Sequence, residues 1–205
     1  KTSINRTKEE ALEDELLADT DDLMWMNLLP SKMKESFTRT FLGCILSIYP
    51  TVLSKDNTSD DIDIEGTKAK EALVFNITGS KLMDELRTEG GILDCTFTIY
   101  APIIFKDIIA THFDLPDFRE SLNLEKNAYN IQKAGESGGG ASGELFMFSN
   151  DYKLILKTIT TKEKNVFLNI MNDFKNHMMD NTKSQVGKIF GLFEFHFSDT
   201  NKTVQ

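Results

Sequence analysis

The stretch that decides how this chain folds begins Gly135-Glu136-Ser137-Gly138-Gly139-Gly140-Ala141-Ser142-Gly143. It continues Glu144-Leu145-Phe146-Met147-Phe148, passes a polar pair Asn150-Asp151, and ends at Lys157. Five glycines in nine residues leave a backbone that can take positive φ and press close to a ligand. Successive N–H groups in such a loop form a concavity suited to phosphate oxygens. Glycines at this density also serve as an ordinary flexible linker. The alternation after them distinguishes the two uses. Leu145 and Met147 fall on one side of a strand and Phe146 and Phe148 on the other. Asn150-Asp151 is a hairpin turn pair, and the next strand sets Leu154 and Leu156 against Lys153, Ile155 and Lys157. A glycine loop, a hairpin and a lysine follow one another within 23 residues.

Working outward, Thr160-Thr161-Lys162-Glu163 has the spacing of a capping box. It opens a helix whose buried stripe is expected to be Val166, Phe167, Ile170, Met171, Phe174 and Met178. Ile189 to Phe197 alternates as a strand. Upstream, Cys95 to Tyr100 alternates and is rich in β-branched and aromatic residues. Pro102 suits the first turn of a helix, which carries Ile104, Phe105, Ile108, Ile109 and His112. Asp114 to Asp117 breaks that helix. Ser121 to Lys126 reads as a second short helix, and Ala128 to Lys133 as a strand entering the glycine loop. The first half is mainly helical. A capping box at Thr7 to Glu10 starts a helix to about Ala18, and Leu23 to Leu29, with Trp25, forms a second. Ser31 starts a third, with Met33, Phe37, Phe41, Leu42, Ile45 and Leu46 on one side and Pro50 as its end. A polar acidic loop (55–66), a strand at Leu73 to Thr78 and a brief helix at Ser80 to Thr88 complete it.

The 205 residues include 15 phenylalanines and 40% hydrophobic residues, enough for a substantial core. The formal charge is −9, with −8 of it on residues 1–99. That excess argues against nucleic acid, which demands a basic footprint, and gives no help at an anionic membrane. Cys44 and Cys95 are the only cysteines, so no disulfide framework exists and a reducing, cytoplasmic setting is expected. The longest apolar run, Phe41 to Val52, is too short to span a bilayer, and no apolar signal segment follows Lys1. The absent initiator methionine reads as a trimmed chain or a piece of a longer one. His112, His177 and His196 have no metal-ligand spacing, and the two cysteines sit in apolar surroundings where a thiol is inert.

Several of these segments resemble the phosphatidylinositol phosphate kinases. Phe97-Thr98-Ile99-Tyr100-Ala101-Pro102-Ile103-Ile104-Phe105-Lys106-Asp107-Ile108 resembles that family's F-x-x-Y-x-P-x-x-F-[RK]-x-[IL] signature. Ser121-Leu122 stands at its short Ser-Leu segment. Gly139-Gly140-Ala141-Ser142-Gly143-Glu144-Leu145-Phe146 is similar to its G-x-S-G-x-x-F nucleotide loop, with extra residues Glu136 to Gly138 before it. Asp151 to Ile159 resembles its D-x-[RK]-[FL]-[IV]-[IL]-K-T-[IL] strand, with Tyr152 at a place that is usually basic. Glu163 matches a recurrent glutamate, and Gly191-Leu192-Phe193 stands where the family reads G-L-Y.

The likeness covers about residues 95–197. It implies an α+β fold, an antiparallel sheet with flanking helices as in a kinase amino-terminal lobe, over 95–205. Residues 1–94 would form a mainly helical acidic segment, a candidate dimer or partner interface. It implies that Lys157, with Gly139, Gly140, Ser142 and Gly143, holds the phosphates of ATP accompanied by Mg2+. Glu163 would pair with Lys157 or merely complete its capping box. The whole enzyme would pass a phosphoryl group to an inositol lipid headgroup, a peripheral membrane substrate. The family's carboxy-terminal segments D-L-K-G-S and M-D-Y-S-L-L are not among these 205 residues, so no catalytic or metal-holding residue is assigned here. The alternative is a non-catalytic, kinase-derived subunit of a larger assembly, a pseudoenzyme.

Overall fold

The computed structural model describes residues 31–54, 72–79, 92–128, 130, 146–197 and 202–205. The capping box at Thr7, the helix bearing Trp25, the acidic loop, the brief helix at Ser80 and the glycine stretch with Gly139, Gly140, Ser142 and Gly143 lie outside the described residues. The fold is α+β. A helix α1 (Ser31–Ser54) is followed by β1 (Ala72–Ile77), β2 (Cys95–Tyr100), α2 (Pro102–His112) and α3 (Leu115–Ser121). Then come β3 (Phe146–Phe148), β4 (Ile155–Lys157), α4 (Thr161–Asp180), β5 (Phe193–Phe197) and β6 (Lys202–Val204).

Strands β1, β2, β5 and β6 form one antiparallel sheet in that order. β2 shows the alternation its sequence carries, with Cys95, Phe97 and Ile99 buried and the residues between them half-buried. Phe97 faces Phe75 across one ladder and Phe195 across the other. Its ring stacks on Phe195 at 4.7 Å between centroids, a cross-strand contact that fixes register. α1 covers this face, with Phe37 edge-on to Phe197 at 4.7 Å and Phe41 against Phe195 at 4.9 Å. A division of the chain at residue 95 falls inside this sheet, because β1 pairs with β2 along all six of its residues.

Five local expectations are corrected. Pro50 lies within α1, which runs on to Ser54; burial of Tyr49 and Leu53 offsets the one donor a proline removes. Asp114 does not merely break α2. It caps α3, accepting from the Asp117 amide at 3.3 Å, and Pro116 occupies the first turn. Ala128 and Asn130 are helical rather than the start of a strand. On α4, Val166 and Ile170 are exposed while Met171 and Met178 are buried, so the buried stripe is rotated from the expected one. The last alternating run is a strand only from Phe193, and Ile189 is exposed.

Candidate functional site

The lysine strand belongs to a separate two-stranded sheet, β3 with β4, in which Phe146 faces Lys157 and Phe148 faces Ile155. Met147 is buried and its two neighbours point outward, as alternation requires. Two three-residue strands are marginal by themselves, and a polar network at the turn fixes this pair. Ser149 N donates to the Leu154 carbonyl at 2.9 Å. The Ser149 hydroxyl and the Lys153 amide donate to Asp151 Oδ1 at 2.7 and 3.2 Å. Tyr152 takes a left-handed conformation, φ 58°. From outside the hairpin, the buried Ser121 donates to Asp151 Oδ2 at 2.6 Å. Asn127, wholly buried, accepts from the Asn150 amide at 2.9 Å and donates to the Ser121 carbonyl at 2.9 Å. Burial pushes the Asp151 carboxyl up, but the hydrogen bonds from Ser121, Ser149 and the Lys153 amide outweigh it and hold the group below its ordinary range. Past Lys157 the Ile159 amide donates to the Gln205 carbonyl at 3.0 Å. The hairpin is thus tied at its turn to α3 and beyond its end to β6.

Lys157 is exposed at the end of β4, its ammonium 5.7 Å from the Phe146 ring centroid. It lines a cavity of about 510 Å³ between β4 and the segment 188–193. Tyr49, Phe118, Leu156, Phe190 and Phe193 supply apolar walls, and the charged side chains on the lining are Lys153, Lys157, Lys188 and Glu163. The Glu163 carboxylate accepts from the Thr160 amide at 2.8 Å and from its hydroxyl at 3.1 Å, while the Glu163 amide donates to the Thr160 hydroxyl at 3.2 Å. That is the full capping box. Lys157 and Glu163 therefore share one cavity, with the carboxylate engaged at the helix start. The floor depends on Gly191: a Cβ there would stand 2.6 Å from the Phe193 ring and 3.3 Å from Tyr49. The Tyr49 hydroxyl donates to the Phe190 carbonyl, and burial pushes the phenol's pKa up, which keeps it a neutral donor.

Residues 127–205, which include β3, β4, Lys157, Glu163 and α4, match the family model described as phosphatidylinositol-4-phosphate 5-kinase. This part of the chain is similar to the phosphatidylinositol phosphate kinase family. A phosphatidylinositol 4-phosphate 5-kinase of Schizosaccharomyces pombe is 30% identical over 60% of this chain and 16% of its own length. A probable phosphatidylinositol phosphate kinase of Dictyostelium discoideum is 34% identical over 47% of the chain and 14% of its own length. The phosphatidylinositol 4-phosphate 5-kinase type-1 alpha of Rattus norvegicus is 28% identical over 78% of the chain and 28% of its own length. The chain spans less than a third of each of these relatives.

A second charged cluster escaped the sequence reading. Lys164, on the buried side of α4, pairs with Glu194 of β5. Its ammonium also lies 5.4 Å from the Tyr100 ring centroid. Gln205 Nε2 donates to Glu194 at 3.1 Å, and the Thr161 hydroxyl donates to Gln205 Oε1 at 3.1 Å. Burial raises the Glu194 carboxyl, yet the bonds from Lys164 and Gln205 and the lysine charge bring it below its ordinary range. Burial and then the Glu194 charge push the Tyr100 phenol up. The signal was present: 164, 167, 171, 174 and 178 lie on one helical face, and that face carries one lysine.

The histidines stand apart from this site. His112 Nε2 is 2.8 Å from the Met178 carbonyl, His177 bonds Ser184, and His196 bonds Thr203. Among the described residues no three His, Cys, Asp or Glu side chains are grouped to hold a metal ion. Nor is any helix among them long and apolar enough to cross a membrane.

Proposed function

We propose that this chain is the nucleotide-binding lobe of a phosphatidylinositol phosphate kinase that moves the γ-phosphoryl group of ATP to a hydroxyl of an inositol lipid headgroup. The observation that carries the reading is Lys157 on the lining of an apolar-walled cavity, on the second strand after the glycine-rich stretch. The cavity volume, about 510 Å³, falls within the range that encloses small ligands. Its apolar walls suit a flat base, and Lys157 suits phosphate. Phosphoryl transfer is mainly positioning and charge stabilisation, and these are what a lobe of this kind supplies. Gly139, Gly140, Ser142 and Gly143 add backbone N–H groups to the phosphates. Glu163 supports Lys157 electrostatically from the cavity lining while it caps α4. The Mg2+ that accompanies ATP would be held by carboxylates of the family's carboxy-terminal lobe, whose segments are not among these 205 residues. The assembled enzyme works in the cytoplasm and meets its lipid peripherally.

The test is calorimetric titration of Mg-ATP into the chain and into Lys157→Met. The variant is expected to bind about tenfold more weakly or worse, the equivalent of losing one charge-assisted contact. Equal binding, or none in either protein, would remove Lys157 from a nucleotide site and leave the non-catalytic interaction subunit as the better account.

A further inference from the structure

We propose that Lys188 is a second cationic contact of the same cavity, gripping a polyphosphate chain from the segment before β5 while Lys157 meets it from β4. The inference rests on the nucleotide reading above and adds a residue to it. Most lysines of this acidic chain whose pairing is described stand against carboxylates: Lys126 on Glu120, Lys153 between Asp117 and Asp151, Lys164 on Glu194 and Lys175 on Asp107. Lys188 differs. Its ammonium donates to the Ser184 carbonyl at 3.3 Å, a long contact worth little, and among the described residues it meets no carboxylate. It nevertheless lines the cavity.

The backbone that presents it is pinned on its far side. Two residues on, the Phe190 carbonyl accepts from the Tyr49 hydroxyl, and at Gly191 an added Cβ would press on the Phe193 ring. Of the other charged side chains on the lining, Glu163 accepts from the Thr160 amide and hydroxyl, and Lys153 stands between two aspartates. Two lysines on separate elements thus line one space with apolar walls, and cations gathered at a cleft of this kind favour a ligand of more than one negative charge. A di- or triphosphate carrying an aromatic base can reach both and cover the apolar wall.

The experiment titrates ATP, adenosine and inorganic tripolyphosphate into the chain, Lys188→Met, Lys188→Arg and Lys157→Met, with thermal midpoints recorded for each. Lys188→Met is expected to weaken ATP and tripolyphosphate about tenfold, leave adenosine unchanged and keep the midpoint, and Lys188→Arg to recover most of the loss. If Lys188→Met binds ATP as the parent does while Lys157→Met does not, Lys188 is a solvated lysine and the nucleotide reading stands alone. If tripolyphosphate binding depends on Lys188 but ATP is bound no better than tripolyphosphate, the Lys188 contact holds and the nucleotide reading falls. Binding of no probe by the parent overturns both.

Discussion

The four-stranded sheet and the β3–β4 hairpin are built on opposite principles. Phe37, Phe41, Phe97, Phe195 and Phe197 are all buried, and their rings lock α1, β2 and β5 together through contacts of 4.7 to 6.1 Å. Burial of that kind supplies most of a domain's stability. The hairpin buries Met147 and leaves Phe146, Phe148 and Ile155 substantially exposed. What holds it is a set of hydrogen bonds in which Ser121 and Ser149 donate to Asp151 and the Asn150 amide donates to Asn127. An apolar core resists local change, because every ring has many neighbours. A polar clasp fixes direction at a modest net gain, about 1 kcal/mol per bond, and it can open without unfolding the rest. In this molecule the lysine proposed for phosphate sits on the second kind of structure, supported by the first.

The comparison breaks most visibly at Phe97. Phe97→Ala is expected to cost about 3–5 kcal/mol, measured by urea unfolding, because the ring is wholly buried between two strands and stacked on Phe195. A loss under about 1 kcal/mol would mean that the aromatic layer is not the foundation described. Next is Lys164→Met, expected to cost about 2 kcal/mol by leaving the half-buried Glu194 carboxylate without its charged partner. The same site predicts an acid limb. The Glu194 carboxyl is held below its ordinary range, so its contribution is present above about pH 4 and lost as pH falls through the lowered value. The limb should be shallower in the variant, and equal acid midpoints would contradict the pairing. Smallest in global terms is Ser121→Ala, at about 1 kcal/mol. Amide exchange gives the sharper readout: protection should fall at Ser149 and Leu156 while Phe97 and Phe195 keep theirs. Equal loss in both regions would show that the clasp and the core are one unit.

Much of this was legible from local chemistry. The alternation of Cys95 to Tyr100, Pro102 at a helix start, the Asn150-Asp151 turn and the Thr160–Glu163 box each depend on residues within a few positions of one another. All four stand as read. The errors arise where distant partners decide. Pro50 is carried through α1 because Tyr49 and Leu53 are buried on either side of it. Val166 and Ile170 face outward because Lys164 and Met171 occupy the inner side of α4. Of the candidate site, Lys157 and Glu163 were legible and line one cavity. Lys188, Gly191 and the Ser121–Asp151 bond were not read as parts of it, since each acts across 30 or more residues of chain or on a cavity that exists only after folding.

The order of strands and helices, the caps, the lysine after the glycine stretch and the likeness to one kinase family were written in the amino acids, because backbone preference and side-chain periodicity act over a single turn or strand. Which face of α4 turns inward, how Lys164 finds Glu194, and the meeting of Lys157 with Lys188 and Glu163 around one hollow were settled only by packing. Those outcomes depend on which apolar surfaces exclude water together, and on the few polar partners left within reach once they have done so.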